Sequence, residues 1–374
     1  MMKKYYQKQY EAIKSQIEQV LLTTVQNCEY MNRAKVIDFE TNLAKKIDVK
    51  NAITCNSVTD AMQMVLLSYG IGKGDAVFMS NLGTLEMANA VKLVGATPFF
   101  VEIQPETGYL HLAHLEAQIQ KAMLECGLQP KMIVSSDHFG RPEEYLAINE
   151  VVRTYGLLLV EDCTKSLGGS YRGLNCGCFG HAAITSFAPG SPLSAMGNGA
   201  VILTDFNDLA GLLDTCGQKG KNVDEVESVG MDSVLDPLQA GILEVKLECF
   251  EKELSQTAKL AAIYDEALKE QFTLLETADG AIASNNEYVV LAKNAETADM
   301  VKAALASKGL SVETDSLMVM NKIAAFADEK FDESNETYKL TEEFAAKAVV
   351  LPIYPYMDVV EQDEIISVVL DAVE

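Results

Sequence analysis

The sequence predicts an α/β protein with a mostly parallel central sheet between helices, followed by a smaller C-terminal α/β unit. Three observations carry this. Short apolar runs alternate with amphipathic helical stretches from residue 52 to residue 204. The runs are continuously apolar rather than alternating, as suits strands covered on both faces. The same alternation resumes after one long helical stretch.

Residues 5–27 carry a helical period through Tyr6, Tyr10, Ile13, Ile17, Val20 and Leu21. Ala52–Cys55 reads as a strand, and Thr59–Tyr69 as an amphipathic helix with Ser57 or Thr59 as its N-cap. The turn Gly72-Lys73-Gly74-Asp75 leads into the strand Ala76–Met79 and the helix Leu85–Leu93. Three further pairs follow: strand Pro98–Ile103 with helix Leu112–Leu124, strand Met132–Ser136 with helix Glu143–Tyr155, and the very apolar strand Leu157–Glu161, which ends in Asp162. Ile184–Phe187 and Ala200–Thr204 are two more strands. Ser233 to about Gln271 reads as one long helix with room for a break. Beyond it, Tyr288–Leu291 and Leu310–Glu313 read as strands, Thr297–Ser307 and Glu361–Val373 as helices, and Asp328–Glu336 as an exposed acidic loop. A length of 374 residues exceeds what one core usually supports. Two domains are therefore expected, 1–250 and 251–374, with the helix at 1–27 packing on the smaller one.

Composition bounds the function. Thirty basic against 54 acidic residues give a formal net charge of −24, with 48% hydrophobic residues. That hydrophobic share fills a large core and excludes global disorder. The charge repels phosphate backbones, and with no Lys/Arg cluster to offset it, nucleic acid is not an expected partner. No apolar run reaches the ~18 residues of a membrane helix, and Lys3-Lys4 is followed by polar residues where a signal peptide would be apolar. Eight scattered cysteines suit free thiols in a reducing compartment, so a cytoplasmic protein is expected. Cys176-x-Cys178 lacks the second pair of a zinc site, and His111-x-x-His114 reads as helix surface.

In parallel sheets, ligands bind beyond the carboxyl ends of the strands. That rule singles out Asn56–Asp60, Asn81–Thr84, Asp137–Gly140, Asp162–Lys165 and Ala188–Gly199. None is a dinucleotide or Walker phosphate loop. Taken in order, Ser57-Val58-Thr59-Asp60-Ala61, Gly70-Ile71-Gly72-Lys73-Gly74-Asp75, Gly95-Ala96-Thr97-Pro98, Val160-Glu161-Asp162, Ser186-Phe187-Ala188-Pro189, Met196-Gly197-Asn198-Gly199-Ala200, Leu235-Asp236-Pro237-Leu238-Gln239-Ala240 and Leu351-Pro352-Ile353-Tyr354-Pro355 resemble the DegT/DnrJ/StrS family of sugar aminotransferases. These share the fold type I architecture of pyridoxal-phosphate enzymes. The resemblance runs from about residue 8 to the C-terminus. The run Ser186–Ala200 is most similar to the branch acting on UDP-linked 3-keto sugar acids.

The resemblance implies a site for pyridoxal or pyridoxamine phosphate. Asp162 matches the carboxylate that keeps the pyridine nitrogen protonated, although an Asp there also suits a helix cap. Ser57, Thr59 and Ser186 match phosphate contacts at a helix N-terminus, but Val58 stands at the family's Gly and its Cβ crowds the approach. Ser191 stands at the Schiff-base lysine, and no Lys exists between Lys165 and Lys219. A serine cannot form an aldimine. Thr84 stands at the stacking aromatic, Lys165 at a Gln, Lys219 at a His, Asp232 at an Asn that reaches the phosphate across the dimer, and Val234 at an Arg for the donor carboxylate.

Three readings stay open. One is a non-catalytic binding or regulatory subunit, a homodimer with a nucleotide-sugar ligand or an active paralogue beside it. Another is a lysine-independent enzyme acting on a nucleotide-linked keto sugar. The last is an aminotransferase that uses Lys165.

Overall fold

The computed structural model describes residues 2–83, 85–222, 225–226, 228–312, 315–326 and 338–373. Helix α1 (Met2–Gln26) bends at Ile13 and is followed by α2 (Arg33–Ile47). The central sheet then builds up: β1 (Asn51–Cys55), α3 (Val58–Ser68), β2 (Asp75–Ser80), α4 (Leu85–Leu93), β3 (Thr97–Val101), α5 (Leu112–Leu124), β4 (Gln129–Ser136), α6 (Tyr145–Tyr155), β5 (Leu158–Asp162), β6 (Ala182–Ser186), β7 (Ala200–Thr204) and α7 (Asn207–Gly217). The seven strands lie in the order β1-β7-β6-β5-β4-β2-β3. Only β7 runs against its neighbours, β1 and β6; the other pairs are parallel.

Period two sorts the strand side chains between the faces. Val77 and Met79 of β2 join Met62 and Leu66 of α3 and Leu213 of α7 in one cluster. Phe78, between them, joins Phe99, Ile133 and Leu159 under α5 and α6. The expectation of a mostly parallel sheet covered on both faces is met. Each such fully buried side chain contributes about 1.5–3 kcal/mol.

Helix α8 (Pro237–Leu268) is unbroken over 32 residues, with Pro237 at its start. A Pro fits the first turn, where its missing N–H has no partner to lose. The first half of α8 packs Leu243 and Phe250 against Phe39 and Leu43 of α2. Its second half packs Leu260 and Tyr264 into a second cluster with Val290, Val349 and Ile365. That cluster belongs to a three-stranded sheet of β8 (Thr273–Leu274), β9 (Tyr288–Leu291) and β10 (Ala348–Leu351), with β9 central. Helices α9 (Ala295–Ser307), α10 (Lys339–Lys347) and α11 (Val359–Asp371) complete this part. Tyr5 of α1 sits in its core, whereas Ile13 and Ile17 pack on Ile242 of α8.

The structure differs from the sequence expectation in three places. Leu310–Val312 is not a strand: Gly309, at φ +69, ends α9, and the Leu310 N–H turns back to the Leu305 carbonyl. Glu313 and the Asp328–Glu336 stretch lie outside the described residues. The strand partner of β9 is instead β10. His114 is not free surface: it is half-buried, accepts the Glu102 N–H at 2.9 Å, and burial pushes its imidazole down to about 4. His111 caps α5 by accepting from the His114 N–H. Helices α2, α7 and α10 have no counterpart in the sequence reading.

Candidate functional site

The carboxyl ends of the strands open onto a cavity of about 420 Å³. Val58, Lys165, Ser186 and Ser191 line it from the sheet side; Glu287, Asp315 and Tyr354 line it from the other. Four of the residues expected at a site are thus brought together.

Asp162 closes β5 and is 2% exposed. Its Oδ1 accepts from the Thr164 N–H at 3.2 Å and the Thr164 hydroxyl at 2.8 Å, and its Oδ2 from the Ser136 hydroxyl at 3.1 Å. The carboxylate therefore ties β4, β5 and the following turn together beneath the cavity.

Ser57 caps α3, its hydroxyl accepting from the Asp60 N–H at 3.1 Å. Its neighbour Val58 presses its side chain against the cavity and is 8% exposed. Thr59 reaches the Glu86 carbonyl at 3.5 Å and holds α3 against α4. The Ser186 hydroxyl accepts from the Ala188 N–H at 3.0 Å and starts the turn that carries Ser191. That turn closes with the Ser191 N–H on the Ala188 carbonyl at 3.1 Å, and Asn286 holds the Gly190 carbonyl at 3.0 Å.

Lys165 pairs with Glu287, Nζ to Oε1 2.9 Å. Burial pulls the ammonium down, but Glu287, then Asp162 and Glu86, outweigh it and hold the group above the ordinary lysine value. Glu86 also lines the cavity; burial, then the charges of Asp162 and Asp315, push its carboxyl up.

Other expected residues lie elsewhere. Lys219 and Asp232 pair with each other at 3.0 Å, with 59% and 67% of their side chains exposed, and neither lines the cavity. Val234 does not line it either, and Thr84 lies outside the described residues. Sequence reasoning missed Glu86, Glu287 and Asp315. Glu86 stands two residues beyond the post-strand segment Asn81–Thr84. Glu287 precedes a strand, where the post-strand rule does not look.

Asp137, Glu161 and the Cys176 thiol form a second polar knot, fully buried. Asp137 accepts from the Tyr145 hydroxyl at 2.6 Å and the Glu143 N–H at 2.9 Å, and Glu161 from the Phe179 N–H at 2.9 Å. These carboxyls satisfy loop backbone and hydroxyls inside the fold. All eight cysteines are free thiols.

The groups lining the cavity do not suit a phosphorylated cofactor joined through a lysine. Among the described residues lining the cavity, Lys165 is the single cation and is held by Glu287, while Glu86 and Asp315 present further carboxyl groups. A phosphate dianion there meets like charge.

Residues 11–370 match the DegT/DnrJ/EryC1/StrS aminotransferase family. The chain is 32% identical to a UDP-2-acetamido-2-deoxy-3-oxo-D-glucuronate aminotransferase of Pseudomonas aeruginosa, over 92% of this chain and 93% of that one. It is 27% identical to a pleiotropic regulatory protein of Geobacillus stearothermophilus, over 96% and 95%. Its fold superposes on a DegT/DnrJ/EryC1/StrS aminotransferase of Brucella abortus with a TM-score of 0.92 at 30% identity, covering 98% of this chain and 97% of that one. No helix among the described residues is long and apolar enough to cross a membrane. The sheet, the order of its motifs and these likenesses agree: the chain belongs to the DegT/DnrJ/EryC1/StrS aminotransferase family.

Proposed function

We propose that this chain is a non-catalytic member of its family, a cytoplasmic binding or regulatory subunit working as a homodimer or beside an active paralogue. Its two parts, 1–250 and 251–374, enclose the ligand cavity as two domains. The observation that carries the reading is the pair Ser191 and Lys165. The residue at the amine position is a hydroxyl, and the lysine in the cavity is locked to Glu287 at 2.9 Å. An ammonium held charged by its neighbours is not a nucleophile, so Lys165 does not replace the missing amine. Relatives named as UDP-, GDP- and dTDP-sugar enzymes support a nucleotide-sugar setting for the subunit.

Borohydride reduction in the presence of pyridoxal phosphate, followed by peptide mapping, tests this. The expected result is no stoichiometric lysine label. Full labelling of Lys165 would restore the aminotransferase reading. Tight binding of pyridoxamine phosphate without label, with turnover of a nucleotide keto sugar, would favour the lysine-independent enzyme.

A further inference from the structure

We propose that the buried knot of Asp137, Glu161 and Cys176 is a structural zinc site, completed by the Ser135 hydroxyl. None of the four residues lines the cavity, so the inference is independent of what the cavity holds. One carboxyl oxygen of Asp137, one of Glu161 and the Cys176 sulfur lie within 4.8 Å of one another, all three side chains buried. The second observation is Ser135. It is 0% exposed, and its hydroxyl has no hydrogen-bond partner among the described residues. Ser135 pairs with Glu161 across β4 and β5, and two residues earlier the pair Ile133 and Leu159 belongs to the cluster under α5 and α6. Period two therefore turns Ser135 and Glu161 to that same face, where Tyr145 of the same cluster meets Asp137. The orphaned hydroxyl stands on the side of the sheet that carries the knot.

Buried acids are neutralised by a proton or a cation. Here the charges acting on Asp137 and Glu161 are those of other acids, Asp162 foremost for the one and Asp137 for the other. Ligand atoms around a tetrahedral zinc stand about 3.3–3.8 Å apart, which the spacing of the knot accommodates. A thiolate beside carboxylates favours zinc over magnesium or calcium, which take oxygen ligands. Four protein ligands close the site, as in structural rather than catalytic zinc. Two carboxylates and a thiolate leave a net negative charge around the dication. The Glu143, Gly177 and Phe179 N–H groups and the Ser166 and Tyr145 hydroxyls face it and hold both carboxyls in place. Cys176 thus works with residues of two strands rather than with Cys178. In the metal-free chain protons take the place of the zinc, and burial holds the Asp137 carboxyl up.

The test is metal analysis of the untagged full chain, produced with zinc in the medium and isolated without chelator. The site is buried, so zinc enters as the chain folds, and about one zinc per chain is expected. Refolding with zinc should raise the melting temperature by several degrees over refolding with EDTA. Refolding with cobalt should give the ultraviolet charge-transfer band of a cobalt–thiolate bond. Cys176→Ala should lose both metal and band, while Cys178→Ala keeps both. Ser135→Ala, whose hydroxyl has no bond to lose, should fold normally and weaken zinc roughly tenfold or more; it decides the matter if Cys176→Ala does not fold. A chain free of zinc after growth and after refolding, zinc retained in Cys176→Ala, or an unchanged zinc affinity in Ser135→Ala would overturn the proposal.

Discussion

The floor and the rim of the cavity are held in place in different ways. The floor is Asp162, clamped by Ser136 and Thr164 between two central strands. The rim is Ser191, on a turn whose own contacts are backbone bonds that any side chain would allow. Asp162 serves the fold as well as any ligand, so its presence is weak evidence for retained chemistry. Ser191 lines the cavity, so its identity bears more on what the cavity can hold. Residues with one duty report function more faithfully than residues with two.

The sharpest way to break this comparison is a stability measurement. Asp162→Ala strands three buried donors and is expected to cost about 2–4 kcal/mol in urea unfolding, while Ser191→Ala should stay within about 0.5 kcal/mol. Equal costs would dissolve the distinction between floor and rim.

A second measurement extends the comparison to the buried knot. Burial pushes the Asp137 carboxyl up to about 7, outweighing its hydrogen bonds from Ser166, Tyr145 and Glu143. The folded state then holds a proton that the unfolded chain releases. Its contribution is fully present below the unfolded carboxyl value, near 4, and is lost as pH rises toward about 7. Unfolding free energy should fall over that window, and Asp137→Asn should flatten the slope.

Ser191→Lys asks whether the rim alone decides activity. The expected turnover with glutamate as donor is none, because Val58 and the acids of the cavity remain. Measurable transamination would show that one side chain was the whole loss. The smallest effect concerns Lys165. In Glu287→Gln the burial that lowers its pKa loses its main opponent, so modification by an amine-reactive reagent at neutral pH should quicken severalfold. An unchanged rate would mean that Asp162 and Glu86 alone hold the charge.

Much of the fold was legible. Continuous apolar runs mark β1 to β7 because strands buried on both faces have no polar side to display. Ser57 was readable as a cap because its hydroxyl does a local job. Helix α2 was passed over, although Val36, Phe39, Leu43 and Ile47 recur at helical spacing on its buried face. Leu310 looked like strand because local sequence does not tell that its N–H is spent closing α9. The site was half legible. Residues after strands follow from topology, and they gave Val58, Lys165 and Ser191, whereas Ser186 followed from the family resemblance. Glu287 and Asp315 reach the cavity from a distant part of the chain. Only tertiary packing brings them there.

Helix α8 has a consequence for how such a chain can age. Its 32 residues make a rod about 48 Å long, whose one half is core to the large sheet and whose other half is core to the small one. A cut near residue 250 would leave two stumps, each with half a hydrophobic face bare. However such a chain changes over time, its two parts therefore stand or fall as one body, and neither can be discarded without baring the other's core.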